Sequence, residues 1–121
     1  MQTAEKLEEF RQSWRPTLEK VDLAVKAAVE IAHPTRVFVF GSWARGEATT
    51  ASDLDLAVLV PEERESEIPE LHRQILRQHE QIRMGIDLIL VTEEYFARFR
   101  SSINSIYYKI AHQGKLVYEQ R

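Results

Sequence analysis

Two runs decide how this chain is read. They are Arg36-Val37-Phe38-Val39-Phe40-Gly41-Ser42-Trp43-Ala44-Arg45-Gly46 and, after a short polar loop, Asp53-Leu54-Asp55-Leu56-Ala57-Val58-Leu59-Val60. The first opens with β-branched and aromatic residues and stops at a glycine, which predicts a strand over Arg36 to Phe40. Gly41 to Ser52 is small, polar and punctuated by Gly41 and Gly46, so it reads as a loop or a short helical turn. The second run is apolar on both faces beyond its first three residues and ends at Pro61. That pattern suits an interior strand better than an edge.

Upstream, Leu18, Val21, Val25, Ala28 and Ala32 recur at helical spacing, with Glu19, Lys20, Lys26 and Glu30 largely on the other side. His33-Pro34 ends that helix, because a residue before proline is pushed out of the helical region. Pro16 marks its first turn or a break from an earlier helix over Ala4 to Gln12. Downstream, Ile68, Leu71, Ile75 and Ile82 predict an amphipathic helix whose outer face carries Arg73, Arg77 and Glu80. Ile86 to Val91, introduced by Gly85, reads as a third strand. Thr92 with Glu93 and Glu94 starts another helix. Phe99, Ile103, Ile106 and Ile110 carry it to about His112, and Gly114 follows its C-terminus. Lys115 to Glu119 is a short last strand. The order α, β, loop, β, α, β, α, β predicts a mixed α/β (α+β) fold, one small sheet flanked by helices.

The chain has 121 residues, of which 44% are hydrophobic and 29% charged, which fits a single soluble globular domain with a real core. We expect one domain over 1–121: an N-terminal helical region (1–33), a catalytic core (36–91) and a C-terminal helix with a short strand (92–121). Net charge −3 argues against nucleic-acid binding by bulk charge. The absence of cysteine excludes disulfides, thiolate metal sites and cysteine nucleophiles. No apolar run is long enough to span a membrane and no signal-peptide layout is present, so a cytoplasmic location is the expectation.

Three carboxylates carry the chemistry. Residues two apart in a strand face the same side, so Asp53 and Asp55 point together at the start of an otherwise apolar strand. Asp87 shares its face of the third strand with Ile89 and Val91. Converging anions repel and lose hydration, and hard divalent ions such as Mg²⁺ relieve both costs. Asp53 alone reads as a turn or capping residue, and Asp87 alone reads equally as an ordinary strand-end acid; the Asp53–Asp55 pair does not reduce to a turn residue and a salt-bridged strand acid. Gly41 lets backbone approach a ligand closely, and the following amides with the Ser42 hydroxyl form a phosphate cradle. Arg45 either adds charge against phosphates or locks the loop to Glu47.

Ten residues separate Ser42 from Asp53. Gly-Ser, ten residues, then Asp-x-Asp resembles the signature of the DNA polymerase β-like nucleotidyltransferase superfamily. The stretch GSWARGEATTASDLDLAVLV resembles its minimal nucleotidyltransferase branch. The likeness covers Arg36 to Val91 and implies the nucleotidyltransferase fold. It also implies roles: Gly41 and Ser42 hold the triphosphate of an incoming nucleotide, Asp53 and Asp55 ligate two Mg²⁺ ions, and Asp87 ligates the ion that activates the acceptor oxygen. Members of this branch pair with all-helical HEPN proteins in toxin–antitoxin systems and transfer AMP from ATP to a tyrosine of the toxin. The resemblance therefore implies such an antitoxin here. Transfer to a small hydroxylated molecule, and a partner-binding module without catalysis, stand as alternatives.

Other residues read more blandly. His33, His72, His79 and His112 have no zinc-site spacing and read as surface or helix-end residues. Arg73, Arg77 and Arg83 read as a solvated face. Lys109, Tyr107 and Tyr108 are a nucleotide-side candidate, with core-plus-surface the preferred reading. Trp43 reads as a packing anchor of the phosphate loop. Phe10 and Trp14 either cover a sheet edge or present apolar surface to a partner or a second copy.

Overall fold

A computed structural model describes residues 4–7, 17–49 and 52–121. Residues 4–7 are helical; the rest of the expected early helix, Phe10, Trp14 and Pro16 lie outside the described residues. The first long helix, α1 (Leu18–Ala32), starts where the Thr17 side chain accepts a hydrogen bond from the Lys20 amide, and ends at His33 in the left-handed conformation. It buries Ala24, Ala28 and Ala32, a narrow stripe of small residues that lets the helix lie close to its neighbours. Leu18, expected on the inner face, is 78% exposed. It stands at the first turn, beyond the edge of the core.

The strands are β1 (Arg36–Phe40), β2 (Leu54–Val60), β3 (Ile86–Thr92) and β4 (Lys115–Glu119), in the order β3-β2-β1-β4. β1 runs antiparallel to both β2 and β4, while β2 and β3 are parallel. A parallel pair needs a crossover, and here it is a 3₁₀ segment (Glu62–Glu67) leading into a helix. A four-residue helix, α2 (Gly41–Ala44), follows β1; the crossover helix is α3 (Ile68–Ile82); α4 (Glu93–Phe99) and α5 (Ile106–Gln113) come after β3. This mixed sheet flanked by helices is the expected fold class.

One sheet face carries Val37, Val39, Leu54, Leu56, Val58 and Val60 against α1, α3 and Met84. The other carries Phe38, Phe40, Ala57 and Leu59 against Phe96 of α4 and Ile110 of α5. Burial on both faces explains why β2 has no polar residue after Asp55.

The helix expected from Thr92 to His112 is two helices. Its first turn is capped as expected, the Thr92 hydroxyl accepting from the Tyr95 amide. The chain leaves the helix after Phe99 and restarts at Ser105, whose hydroxyl accepts from the Tyr108 amide while donating to the Phe99 carbonyl. The Ser101-Ser102-Ile103-Asn104-Ser105 run favours turns and caps over helix interior. Ile103, which kept the apolar period, is 73% exposed.

His72 and His79 also differ from expectation. Neither lies on the outer face: a His72 ring nitrogen is 3.2 Å from the Leu88 carbonyl, and His79 bonds the Met84 carbonyl. They tie α3 to β3 and to the turn that precedes it. His33 and His112 do sit exposed at helix ends.

Arg36 grips the start of α4 with both arms: its Nη2 and Nε donate to the two Glu93 carboxylate oxygens at 2.7 and 3.0 Å. Its guanidinium also lies 5.2 Å from the Phe38 ring centre and 5.4 Å from that of Phe96. The Arg36 hydrogen bond holds the Glu93 pKa below its ordinary value. A carboxylate with a lowered folded pKa stabilises above its unfolded value of 4.5 and loses that contribution as pH falls through the folded one. Glu93→Gln is expected to cost about 1 kcal/mol near neutral pH and progressively less as the pH is lowered below the ordinary carboxylate range, as measured by urea unfolding across that range. A cost that does not change with pH would remove the ion pair as the cause.

Candidate active site

The parallel register sets Asp55 of β2 directly beside Asp87 of β3. Adjacent strands lie roughly 4.8 Å apart, so two carboxylates on the same face stand side by side. Alternation puts both on the face of Ala57, Leu59, Ile89 and Val91, the side covered by α4 and α5. They sit at the N-terminal ends of their strands, each the second residue of its strand. Asp55 is half-buried and Asp87 exposed.

Crowding shows in the protonation of Asp55. Burial, a hydrogen bond to Asp87 and the negative charges of Asp87 and Asp53 push its pKa up to about 6, against a smaller downward pull from Arg45. A carboxylate so placed is short of positive charge.

β1 supplies the other wall. Phe40 pairs with Asp55, and the next residue turns sharply: Gly41 has φ +67°. A Cβ there would lie 1.9 Å from Asp55 Oδ2, so glycine is required by conformation and by space together. No side chain caps the start of α2, which leaves its first amides without an intrahelical partner. The loop beyond is closed by the Glu47 amide donating to the Ser42 carbonyl at 2.9 Å and by Arg45 Nε to Glu47 Oε2 at 3.2 Å. Trp43 packs its ring against the first core, the anchor expected of it, although its indole N–H is buried without an acceptor.

A cleft of about 370 Å³ opens between these walls. Phe40, Gly41, Ser42, Arg45 and Asp55 line one side; Ile106, Lys109 and Gln113 of α5 line the other. Four of the expected site residues, Gly41, Ser42, Arg45 and Asp55, thus share one cavity, with Asp87 next to Asp55 across the strands.

Asp53 stands apart. It lies one residue before β2, and its Oδ1 occupies the space a Cβ on Gly85 would take, 2.1 Å away. Among the described residues no group of three or more His, Cys, Asp or Glu is gathered closely enough to hold a metal ion ready-made. The chemistry of the Asp55–Asp87 pair nonetheless suits a hard divalent cation: oxygen donors only, mutually repelling, on an open edge.

The α5 wall joins a core face to an exposed one, as the preferred reading had it. Tyr107 does pack in the second core, but Lys109 faces the cleft. Ile106, expected on the apolar stripe with Ile110, is instead exposed and lines the cleft, and Gln113 carried no signal of its own; the spacing 106, 109, 113 marks one face of a helix and would have grouped them with Lys109.

The family model described as "Nucleotidyltransferase domain" matches residues 18–112. The chain belongs to the nucleotidyltransferase domain family. Among solved structures, a candidate nucleotidyltransferase from Sulfolobus solfataricus is 18% identical with a TM-score of 0.50, covering 87% of this chain and 91% of its own. A toxin–antitoxin structure with AMP-PNP is 20% identical with a TM-score of 0.47, covering 81% of this chain and 73% of its own. No curated protein matches the chain. Membership makes nucleotidyl transfer the activity class, and nucleotidyltransferase domains generally use divalent metal ions. Among the described residues no helix is long and apolar enough to cross a membrane.

Proposed function

We propose that the protein moves a nucleoside monophosphate from a nucleoside triphosphate to an acceptor hydroxyl at the Asp55–Gly41 cleft. The observation that carries this is the Asp55–Asp87 pair, in register across parallel strands and beside the Gly41–Ser42 turn. Gly41, Ser42 and Arg45 hold the triphosphate; Asp55 and Asp87, together with Asp53 beside Gly85, would hold two Mg²⁺ ions. The acceptor oxygen attacks the α-phosphorus, the bond from that phosphorus to the β-phosphate oxygen breaks, pyrophosphate leaves, and the hydroxyl proton goes to solvent. Bound Mg²⁺ supplies charge neutralisation at the attacking and leaving oxygens. The chain's own part is to hold the reactants in line and to keep the phosphates fixed against the α2 turn.

The donor is ATP and the acceptor a tyrosine of a HEPN-type toxin, so the protein acts as an antitoxin. The resemblance of Gly41 to Val60 to the minimal nucleotidyltransferase branch supports this finer reading. It is tested by the adjoining gene, expected to encode a HEPN-type protein, and by modification of that protein. An isolated gene, with transfer to a small hydroxylated molecule instead, would overturn it.

Ser42→Ala tests the phosphate cradle. Loss of one hydroxyl hydrogen bond to a charged phosphate is expected to weaken ATP binding by about tenfold with melting unchanged. Unchanged affinity in calorimetry would remove Ser42 from the site.

A further inference from the structure

The nucleotide side of the cleft has an outer wall that the motif residues do not include. α5 is held firmly: Ser105 caps its start, Ile110 is fully buried, and Tyr107, Ile110 and Ala111 pack against Phe38, Phe40 and Phe96. With that face committed to the core, the face bearing Ile106, Lys109 and Gln113 overhangs Ser42 and Arg45.

Charge distinguishes Lys109 within this wall. The cleft already contains the carboxylate of Asp55, with that of Asp87 beside it. Of the two cations lining it, Arg45 is paired with Glu47, whereas Lys109 makes no ion pair among the described residues. An uncommitted ammonium on a flexible stem is a point-charge binder of phosphate. It also sits across the cavity from the turn whose amides and hydroxyl serve the same ligand.

We infer that Lys109 binds the phosphate chain of the nucleoside triphosphate from the α5 side, opposite Ser42, so that the donor is clamped between α2 and α5. This rests on the nucleotidyltransferase reading of the cleft, and it adds a residue that the Gly-Ser and three-acid pattern does not contain. A contact to phosphate alone makes binding depend on phosphate number and not on the base.

Calorimetric titration with ATP, AMP and adenosine in Mg²⁺ buffer separates the outcomes, comparing wild type with Lys109→Met, Lys109→Arg and the remote Lys26→Ala. Lys109→Met keeps the apolar stem and is expected to weaken ATP by about tenfold, AMP by about threefold and adenosine not at all. Lys109→Arg is expected to restore most of the ATP affinity, and Lys26→Ala to behave as wild type. ATP affinity unchanged in Lys109→Met, with tight binding by wild type, overturns the role of Lys109 and leaves the site intact. Equal losses for ATP and adenosine overturn it as well, by making the effect one of helix position. Failure of wild type to bind any nucleotide overturns this inference together with the reading on which it rests.

Discussion

Asp55→Asn is expected to reduce nucleotidyl transfer by about three orders of magnitude or more, since on the proposed mechanism several kcal/mol of transition-state stabilisation would depend on a cation at Asp55. The same substitution is expected to leave the fold intact and to stabilise the metal-free protein. Asp55 has a folded pKa pushed up to about 6 from 3.8. A carboxylate with a raised folded pKa favours the native state below its unfolded value, and that contribution is lost as pH rises through the folded one. Near neutral pH the charged carboxylate is therefore a burden. Because Asp55 is only half-buried, solvent screening reduces the gain on removing its charge to about 1 kcal/mol, or about 3 °C in Tm. The gain should shrink to nothing below the ordinary carboxylate range. Melting curves against pH, with and without Mg²⁺, check both halves: Mg²⁺ should raise the Tm of wild type and not of Asp55→Asn. Equal metal responses would contradict the placement of a cation at Asp55.

Gly41→Ala carries the second large effect. Two costs coincide at this position. The backbone is left-handed, which costs a non-glycine residue about 1–2 kcal/mol, and the new methyl would overlap the Asp55 carboxylate. Something has to move, and β1 is held in the sheet on both sides, so Asp55 gives way. The expected result is about 2–4 kcal/mol lost from stability and transfer reduced to background. Gly46→Ala is the control: its φ is +72°, but a Cβ there meets nothing within 4 Å. It should lose about 1 kcal/mol and keep transfer. Equal loss of activity in both variants would mean that loop conformation alone, and not the approach to Asp55, explains the glycine.

The strands and the motif were legible because their signals are local. Apolar runs bounded by Gly41, Pro61 and Gly85 mark strand ends through backbone conformation, and the Gly-Ser to Asp-x-Asp interval lies within one β-turn-β unit. What the chain did not disclose depends on distant partners. That β2 runs parallel to β3 and antiparallel to β1 follows from the crossover and the packing of two cores. That register brings Asp55 to Asp87 and leaves Asp53 against Gly85. The break between α4 and α5 was hidden because Ile103 keeps the helical period although it ends in solvent, and capping by Ser105 outweighs the pattern. Lys109 was ambiguous for the same reason: which face of α5 meets the cleft is decided by Phe38 and Phe40, more than sixty residues earlier in the chain. His72 and His79 looked like surface residues because a ring nitrogen bonding a backbone carbonyl has no signature in sequence.

The most direct test of nucleotidyl transfer at Asp55 uses ATP labelled in turn at the α- and γ-phosphates, with Mg²⁺ and the protein co-expressed from the adjoining gene, proposed here to be of HEPN type. Label from the α-phosphate on the partner, none from the γ-phosphate, release of pyrophosphate, and loss of all three signals in Asp55→Asn is the predicted result. Transfer of the γ-label, or undiminished α-label in Asp55→Asn, would contradict it.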